Sequence, residues 1–174
     1  MTLKPPEIAF DQNLVLIGLT ARRAEEAIEI LSDKLRAQGY VDDDYSAAVI
    51  KREHEFPTGL PTPIPVALPH TDAGHCRRSA LAVGILRAPV EFHEMGNPEN
   101  TLAVRAVFLL ALADPKDQVG WLQRFMRGLR DQSFLERLTK TATEQEVVDL
   151  VTAMLQLKPA DGTVGSEISK EETA

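Results

Sequence analysis

Four apolar runs of strand length, separated by segments of helical spacing, constrain this chain more than any other feature. They are Asn13–Leu19, Ile64–Leu68, Ser79–Arg87 and Ala103–Leu112. Each is far shorter than the roughly 18 apolar residues that cross a bilayer. Apolar strands interleaved with amphipathic helices define an α/β class, in which a sheet buries both faces beneath helices. The 174 residues suffice for one core. The expectation is a single domain over residues 1–157, with a central, mostly mixed sheet of three to five strands and helices on both faces. Residues 158–174, KPADGTVGSEISKEETA, have few apolar residues and no period, and are expected to be a disordered tail.

The helical segments can be placed more closely. Thr20 is positioned to cap a first helix whose buried face is Ala24, Ala27, Ile28, Leu31 and Leu35, with Gly39 as its stop. Asp42, Asp43 and Asp44 favour the N-terminus of a second helix, continued by Ala47, Ala48 and Ile50 to about Glu55. FPTGLPTPIP, with four prolines, reads as a loop, and so does PVEFHEMGNPEN. Val119, Leu122, Phe125, Met126 and Leu129 make one helical stripe. Phe134, Leu135 and Leu138 make a short one. Thr143 with Glu146 is a capping box before Val147, Leu150, Val151 and Met154.

Charge narrows the function. The net charge of −7 argues against general nucleic-acid binding, which needs clustered Lys and Arg. MTLKPPEIAF lacks the apolar core of a secretory signal, and the single cysteine, Cys76, can form no internal disulfide. The expected compartment is the cytoplasm.

The chemistry-bearing stretch is IPVALPHTDAGHCRR, Ile64–Arg78, in which an apolar strand ends in Pro69-His70. Three chemistries compete there. A neutral imidazole can attack phosphorus and carry a phosphoryl group, given cations and N–H groups for the oxygens. Arg52, Arg77, Arg78 and the Pro57-Thr58-Gly59 turn lie near enough in sequence to provide them. His70, Asp72, His75 and Cys76 are zinc-ligand types, but the spacing fits no common closed site. Cys76 among basic residues could be an activated thiol, although a lone cysteine is usually a packing residue. Against all three stands the plain reading that His70 caps a strand. His75 and His93 read as solvated loop residues, and His54 as a helix-end residue favoured by the dipole.

REHEFPTGLPTPIPVALPHTDAGH resembles the enzyme IIA domains of the fructose–mannitol class in the phosphoenolpyruvate-dependent sugar phosphotransferase system. The resemblance is carried by Arg52-Glu53, the Thr58-Gly59 turn and Ala67-Leu68-Pro69-His70. It extends through SALAVGILRAPVEF, VRAVFLLALADPKDQVGWLQRF and DQSFLERLTKTATEQEVVDLV, covering about residues 10–155. Within the class, Thr71 after the histidine, AVGIL and VEFHEMGNPE are most similar to the galactitol-type branch.

The resemblance implies a phosphotransferase that works through a phosphohistidine, with no cofactor and no metal. His70 would accept a phosphoryl group from phospho-HPr through Nε2 and pass it to a cysteine of a IIB component. Arg52 would neutralise the phosphate oxygens, its planar fork suiting them. Thr58, Gly59 and Thr71 would bind phosphate. Mannitol-type members carry a second active-site histidine, and Gln118 falls at that position here, so a hydrogen bond replaces a charge; His75 is the other candidate for that place. Leu60, Leu68 and Phe92 would form an apolar docking patch around an exposed imidazole. The expected role is uptake of a sugar alcohol such as galactitol, with indirect association with a membrane IIC component. The alternative is a stand-alone regulator that binds targets according to its phosphorylation state.

Overall fold

The computed structural model describes residues 7–157. The tail expected over 158–174 lies outside the described residues. Among the described residues there are five strands: β1 (Val15–Leu19), β2 (Gly59–Leu60), β3 (Val66–Ala67), β4 (Ala80–Glu94) and β5 (Asn97–Ala111). The helices are α1 (Ala24–Ala37), α2 (Tyr45–Glu55), α3 (Gln118–Gly128), α4 (Gln132–Thr139) and α5 (Glu144–Leu155). The sheet is mixed, as expected. β1 runs parallel to β4, β4 antiparallel to β5, and β3 parallel to β5. β2 pairs antiparallel with β3 and touches the far end of β4 at Gly59–Glu94, which curls one end of the sheet onto itself.

Both faces of the sheet are covered. Gly84 and Val83 are neighbours on β4 and so point to opposite faces. A Cβ on Gly84 would strike Leu19 and Leu31, which places α1 on that side. Val83 pairs with Phe108, whose ring meets Phe125 of α3 edge-on at 5.8 Å, which places α3 on the other. Such an aromatic pair adds about 1 kcal/mol beyond its burial.

The region read as the loop PVEFHEMGNPEN is instead a long hairpin. β4 continues to Glu94, and β5 returns from Asn97 through the Met95-Gly96 turn. The cause is alternation: Val90 and Phe92 are buried while Glu91 and His93 are exposed, and they pair with Val104 and Leu102. Pro89 is accommodated where the register shifts between Ile85 and Val90, a bulge that tolerates a missing N–H. Gly96 supplies the positive φ of 77° that the turn needs. The strand expected over Ile64–Leu68 contracts to Val66–Ala67, because prolines on both sides remove ladder donors.

The helices also differ in detail from expectation. Arg23, not Thr20, is the N-cap of α1, without a side-chain cap bond; Glu26 accepts from the Arg22 N–H instead. Gly39, at φ 79°, ends it. α2 runs to Glu55, as expected, and buries Tyr45, Val49 and Glu53. α3 buries Trp121 and Phe125 and leaves Val119 66% exposed. The Thr143 cap holds, its hydroxyl accepting from the Glu146 N–H at 3.2 Å. Among the described residues no helix is long and apolar enough to cross a membrane.

Candidate active site

β3 fixes the position of His70. Its parallel pairing with β5 extends past Ala67 as a bridge between His70 and Leu110, where the Leu110 N–H donates to the Pro69 carbonyl at 3.1 Å. Tyr45, at the start of α2, holds the same point of β5: its hydroxyl donates to the Leu110 carbonyl at 3.0 Å. The helix that carries Arg52 is thereby anchored to the strand beside which His70 sits.

His70 as a residue is only 7% exposed. That corrects the expectation of an openly presented ring. Nδ1 lies 2.9 Å from the Leu68 carbonyl, an oxygen that can only accept. Nδ1 is therefore the protonated nitrogen, and Nε2 keeps its lone pair. Burial pulls the His70 pKa below its ordinary 6.5, and the positive charge of Arg52 adds to the effect. The Leu68 hydrogen bond and the Asp72 carboxylate oppose it. The ring is thus neutral at neutral pH, the state in which a nitrogen attacks. A proton-NMR titration of the His70 ring is expected to give a midpoint below 6.5; one above that value would show that the buried, Arg52-flanked geometry does not hold in solution.

Arg52 comes from the last turn of α2. Its guanidinium lies 5.4 Å from the Phe56 ring centroid, and Nη1 is 3.8 Å from Asp72. Thr71 is buried beside His70 in the chain, at 7% exposure. Gln118 is the first residue of α3, the helix that leaves the same end of β5 where Leu110 meets His70.

Thr58 and Gly59 are positioned differently from the reading as phosphate donors. The Thr58 N–H and hydroxyl both donate to Glu53, at 2.9 and 2.8 Å. Both donors are engaged, so Thr58 offers neither to a phosphate in this state. Gly59 lies in β2 against β4; a Cβ there would sit 2.5 Å from the His93 carbonyl oxygen, so close strand approach alone demands glycine. Glu53 is a site residue to which the sequence pattern gives no role of its own. It is 8% exposed, and desolvation raises its pKa above 4.5 against the pull of the two Thr58 hydrogen bonds. It ties the Thr58-Gly59 turn to the helix of Arg52.

Other candidates are drawn elsewhere. Arg77 is bound to Asp42 at 2.6 Å, and Arg78 stacks on Tyr40, so neither is shown facing His70. His75 Nδ1 sits 3.1 Å from Asp44. His54 pairs with Glu25 at 2.8 Å, and His93 Nδ1 lies 2.7 Å from the Pro98 carbonyl. Burial pushes the Cys76 thiol up to about 11, the opposite of an activated nucleophile. Among the described residues no group of three or more His, Cys, Asp or Glu is placed to hold a metal ion. Leu68 and Phe92 are fully buried and Leu60 is 3% exposed, so they are core rather than a docking patch. Phe56, whose ring faces the Arg52 guanidinium, is a large apolar side chain that is exposed, at 61%.

A histidine fixed as the Nδ1–H tautomer, with the charge of Arg52 reaching its ring, leaves Nε2 as a neutral nucleophile at the end of a curled mixed sheet. Residues 8–154 match the family described as phosphoenolpyruvate-dependent sugar phosphotransferase system, EIIA 2, and the chain belongs to that family. It is a phosphotransferase component that works through a phosphohistidine intermediate. It is similar to the galactitol-specific EIIA component of Escherichia coli K12, with 29% identity over 70% of this chain and 81% of that one. It is also similar to the transcriptional regulator ManR of Bacillus subtilis, with 34% identity over 73% of this chain but 18% of the regulator. Among solved structures, the fold matches mannitol IIA of E. coli with a TM-score of 0.70 and 24% identity, over 83% of this chain and 99% of that one. It matches the same organism's complex of mannitol IIA with phosphorylated mannitol IIB with a TM-score of 0.67 and 24% identity, over 86% and 98%.

Proposed function

We propose that His70 accepts a phosphoryl group from phospho-HPr and passes it to a cysteine of a IIB component during uptake of a sugar alcohol such as galactitol. The observation that carries this reading is the tautomer: the Leu68 carbonyl holds Nδ1–H and leaves Nε2 as the nucleophile. The similarity to the galactitol-specific component supports the sugar class, and the mannitol complex, in which IIA is paired with phosphorylated IIB, supports the acceptor.

The Nε2 lone pair forms a bond to phosphorus as the donor's P–N bond breaks, and that electron pair returns to the donor imidazole. The His70 ring gains positive character, and the Nδ1–H bond to Leu68 strengthens in response. Arg52 offsets the charge on the phosphoryl oxygens. Thr71 and Gln118 complete the phosphate contacts, while Thr58 and Gly59 shape the wall. The phosphoramidate is already activated, so positioning and charge stabilisation suffice, with no metal. Phe56 is the apolar contact for both partners, and a membrane IIC component is reached only through IIB.

The test is intact-protein mass after incubation with phosphoenolpyruvate, enzyme I and HPr, with the modified peptide mapped. One acid-labile phosphoryl group on His70, discharged by the matching IIB, is expected. A competent HPr that leaves the mass unchanged sinks the proposal. The likeness to ManR favours one second reading, a regulator whose phosphorylation state selects its targets. A phosphorylated protein that no IIB cysteine discharges would favour it.

A further inference from the structure

We propose that Asp72 is the counter-ion that Arg52 exchanges for the phosphoryl group, and that it thereby sets how much phosphoryl His70 holds at equilibrium. The proposal rests on the reading of His70 and Arg52 given above. Its starting point is an Asp that does not do what its position suggests. Asp72 is the N-cap residue of a short 3-10 turn, Ala73–His75, yet its side chain makes no cap bond. Aspartate at such a position normally accepts from a backbone N–H of the turn. Here the carboxylate, two residues along the chain from the proposed nucleophile, is directed instead to Arg52.

The contact is loose. At 3.8 Å it is an ion pair but not a hydrogen bond. Arg52 has further unused capacity, since its Nε is buried without a hydrogen-bond partner. The Phe56 ring, at 5.4 Å, holds the guanidinium plane without occupying its N–H donors. The arginine is thus kept near His70 by one weak carboxylate contact and one ring, with its fork free for a planar or tetrahedral oxyanion. Asp72 is the easy partner to release: its side chain is 81% exposed, against 32% for Arg52, so water replaces the lost contact. Both charges reach the His70 ring, with opposite signs.

In the empty protein Asp72 balances Arg52. When Nε2 acquires the phosphoryl group, its oxygens displace the carboxylate from the guanidinium. Every phosphorylation therefore has to break the Arg52–Asp72 pair. That lowers the grip on the phosphoryl group, which suits a carrier that must hand it on.

The test is a double-mutant cycle on the full chain. Wild type, Asp72→Asn, Arg52→Ala and the double variant are equilibrated with enzyme I, HPr and a fixed phosphoenolpyruvate-to-pyruvate ratio, and occupancy is read by intact mass. Asp72→Asn is expected to raise the ratio of phosphorylated to free protein about fivefold, the weight of one close unit-charge contact in water. In the Arg52→Ala background the same change is expected to alter the ratio less than about twofold. No rise in Asp72→Asn overturns the proposal. An equal rise in the Arg52→Ala background also overturns it, because Asp72 would then act by direct repulsion and not by exchange. A wild type that gains no phosphoryl group sinks the His70 reading and this proposal together; a phosphorylated wild type with a silent Asp72→Asn variant sinks only this one.

Discussion

Replacing His70 by glutamine is expected to abolish phosphoryl acceptance and leave the protein folded. The activity loss follows from chemistry: a carboxamide nitrogen carries no available lone pair, so no phosphoramidate forms. Acceptance should fall by more than about a thousandfold, to background. The fold survives because glutamine retains an N–H group that can replace Nδ1–H on the Leu68 carbonyl, which is the one hydrogen bond the ring makes among the described residues. The stability change should stay within about 1 kcal/mol. Mass incorporation and thermal unfolding check the two halves. Retained incorporation would move the nucleophile to His54, His75 or His93 and end the assignment. Loss of both activity and fold would show that the ring is structural.

The same variant has a pH signature. The folded pKa of His70 is lowered from 6.5, so the unfolded chain protonates first as pH falls. The neutral ring therefore contributes stability above 6.5, and that contribution is lost as pH falls through the lowered folded value. His70→Gln lacks this slope. Wild type should lose stability relative to the variant as the pH is lowered from neutrality, followed by denaturant titration.

The parts of the site that are legible in the sequence are those that act locally. Pro69-His70 after an apolar run, and Arg52 ahead of a Thr-Gly turn, are readable because strand, turn and side chain are contiguous. The parts that are not legible depend on pairing across the sheet. Pro89 and Pro98 mask the β4–β5 hairpin, since a proline lowers the expectation of a strand, and only the partner strand reveals the Val90–Val104 and Phe92–Leu102 pairs. Phe92 and Leu60 resemble exposed docking residues for the same reason, and the curl of β2 against β4 buries both. The buried face of α2 is only partly marked by aliphatic residues, because beside Val49 its buried positions, Tyr45 and Glu53, carry polar groups. Their partners, Leu110 and Thr58, lie outside the helix, so helical periodicity alone does not mark them.

Glu53→Ala is expected to destabilise the protein by about 3 kcal/mol, because a buried donor left without its acceptor costs about 1–3 kcal/mol and Thr58 would lose partners for two. Thr58 is 3% exposed, so water cannot readily take over. The damage should also reach the chemistry. The Thr58 carbonyl accepts from the Leu68 N–H at 3.3 Å, and Leu68 in turn orients the His70 ring. Gly59 cannot absorb a shift toward β4, where the His93 carbonyl already limits it. A domain of this size should lose about 6–12 °C in Tm, with a lower phosphorylation rate at saturating donor. Glu53→Gln keeps one acceptor oxygen and should recover more than half of the stability. Its deficit should also shrink with rising pH. The folded pKa of Glu53 is raised above 4.5, so its contribution is full below 4.5 and is lost as pH rises through the folded value, whereas the amide does not titrate. A Glu53→Gln deficit that grows with pH above 4.5 would mean that the carboxylate is preferred in the folded state, and that the Thr58 hydrogen bonds outweigh burial.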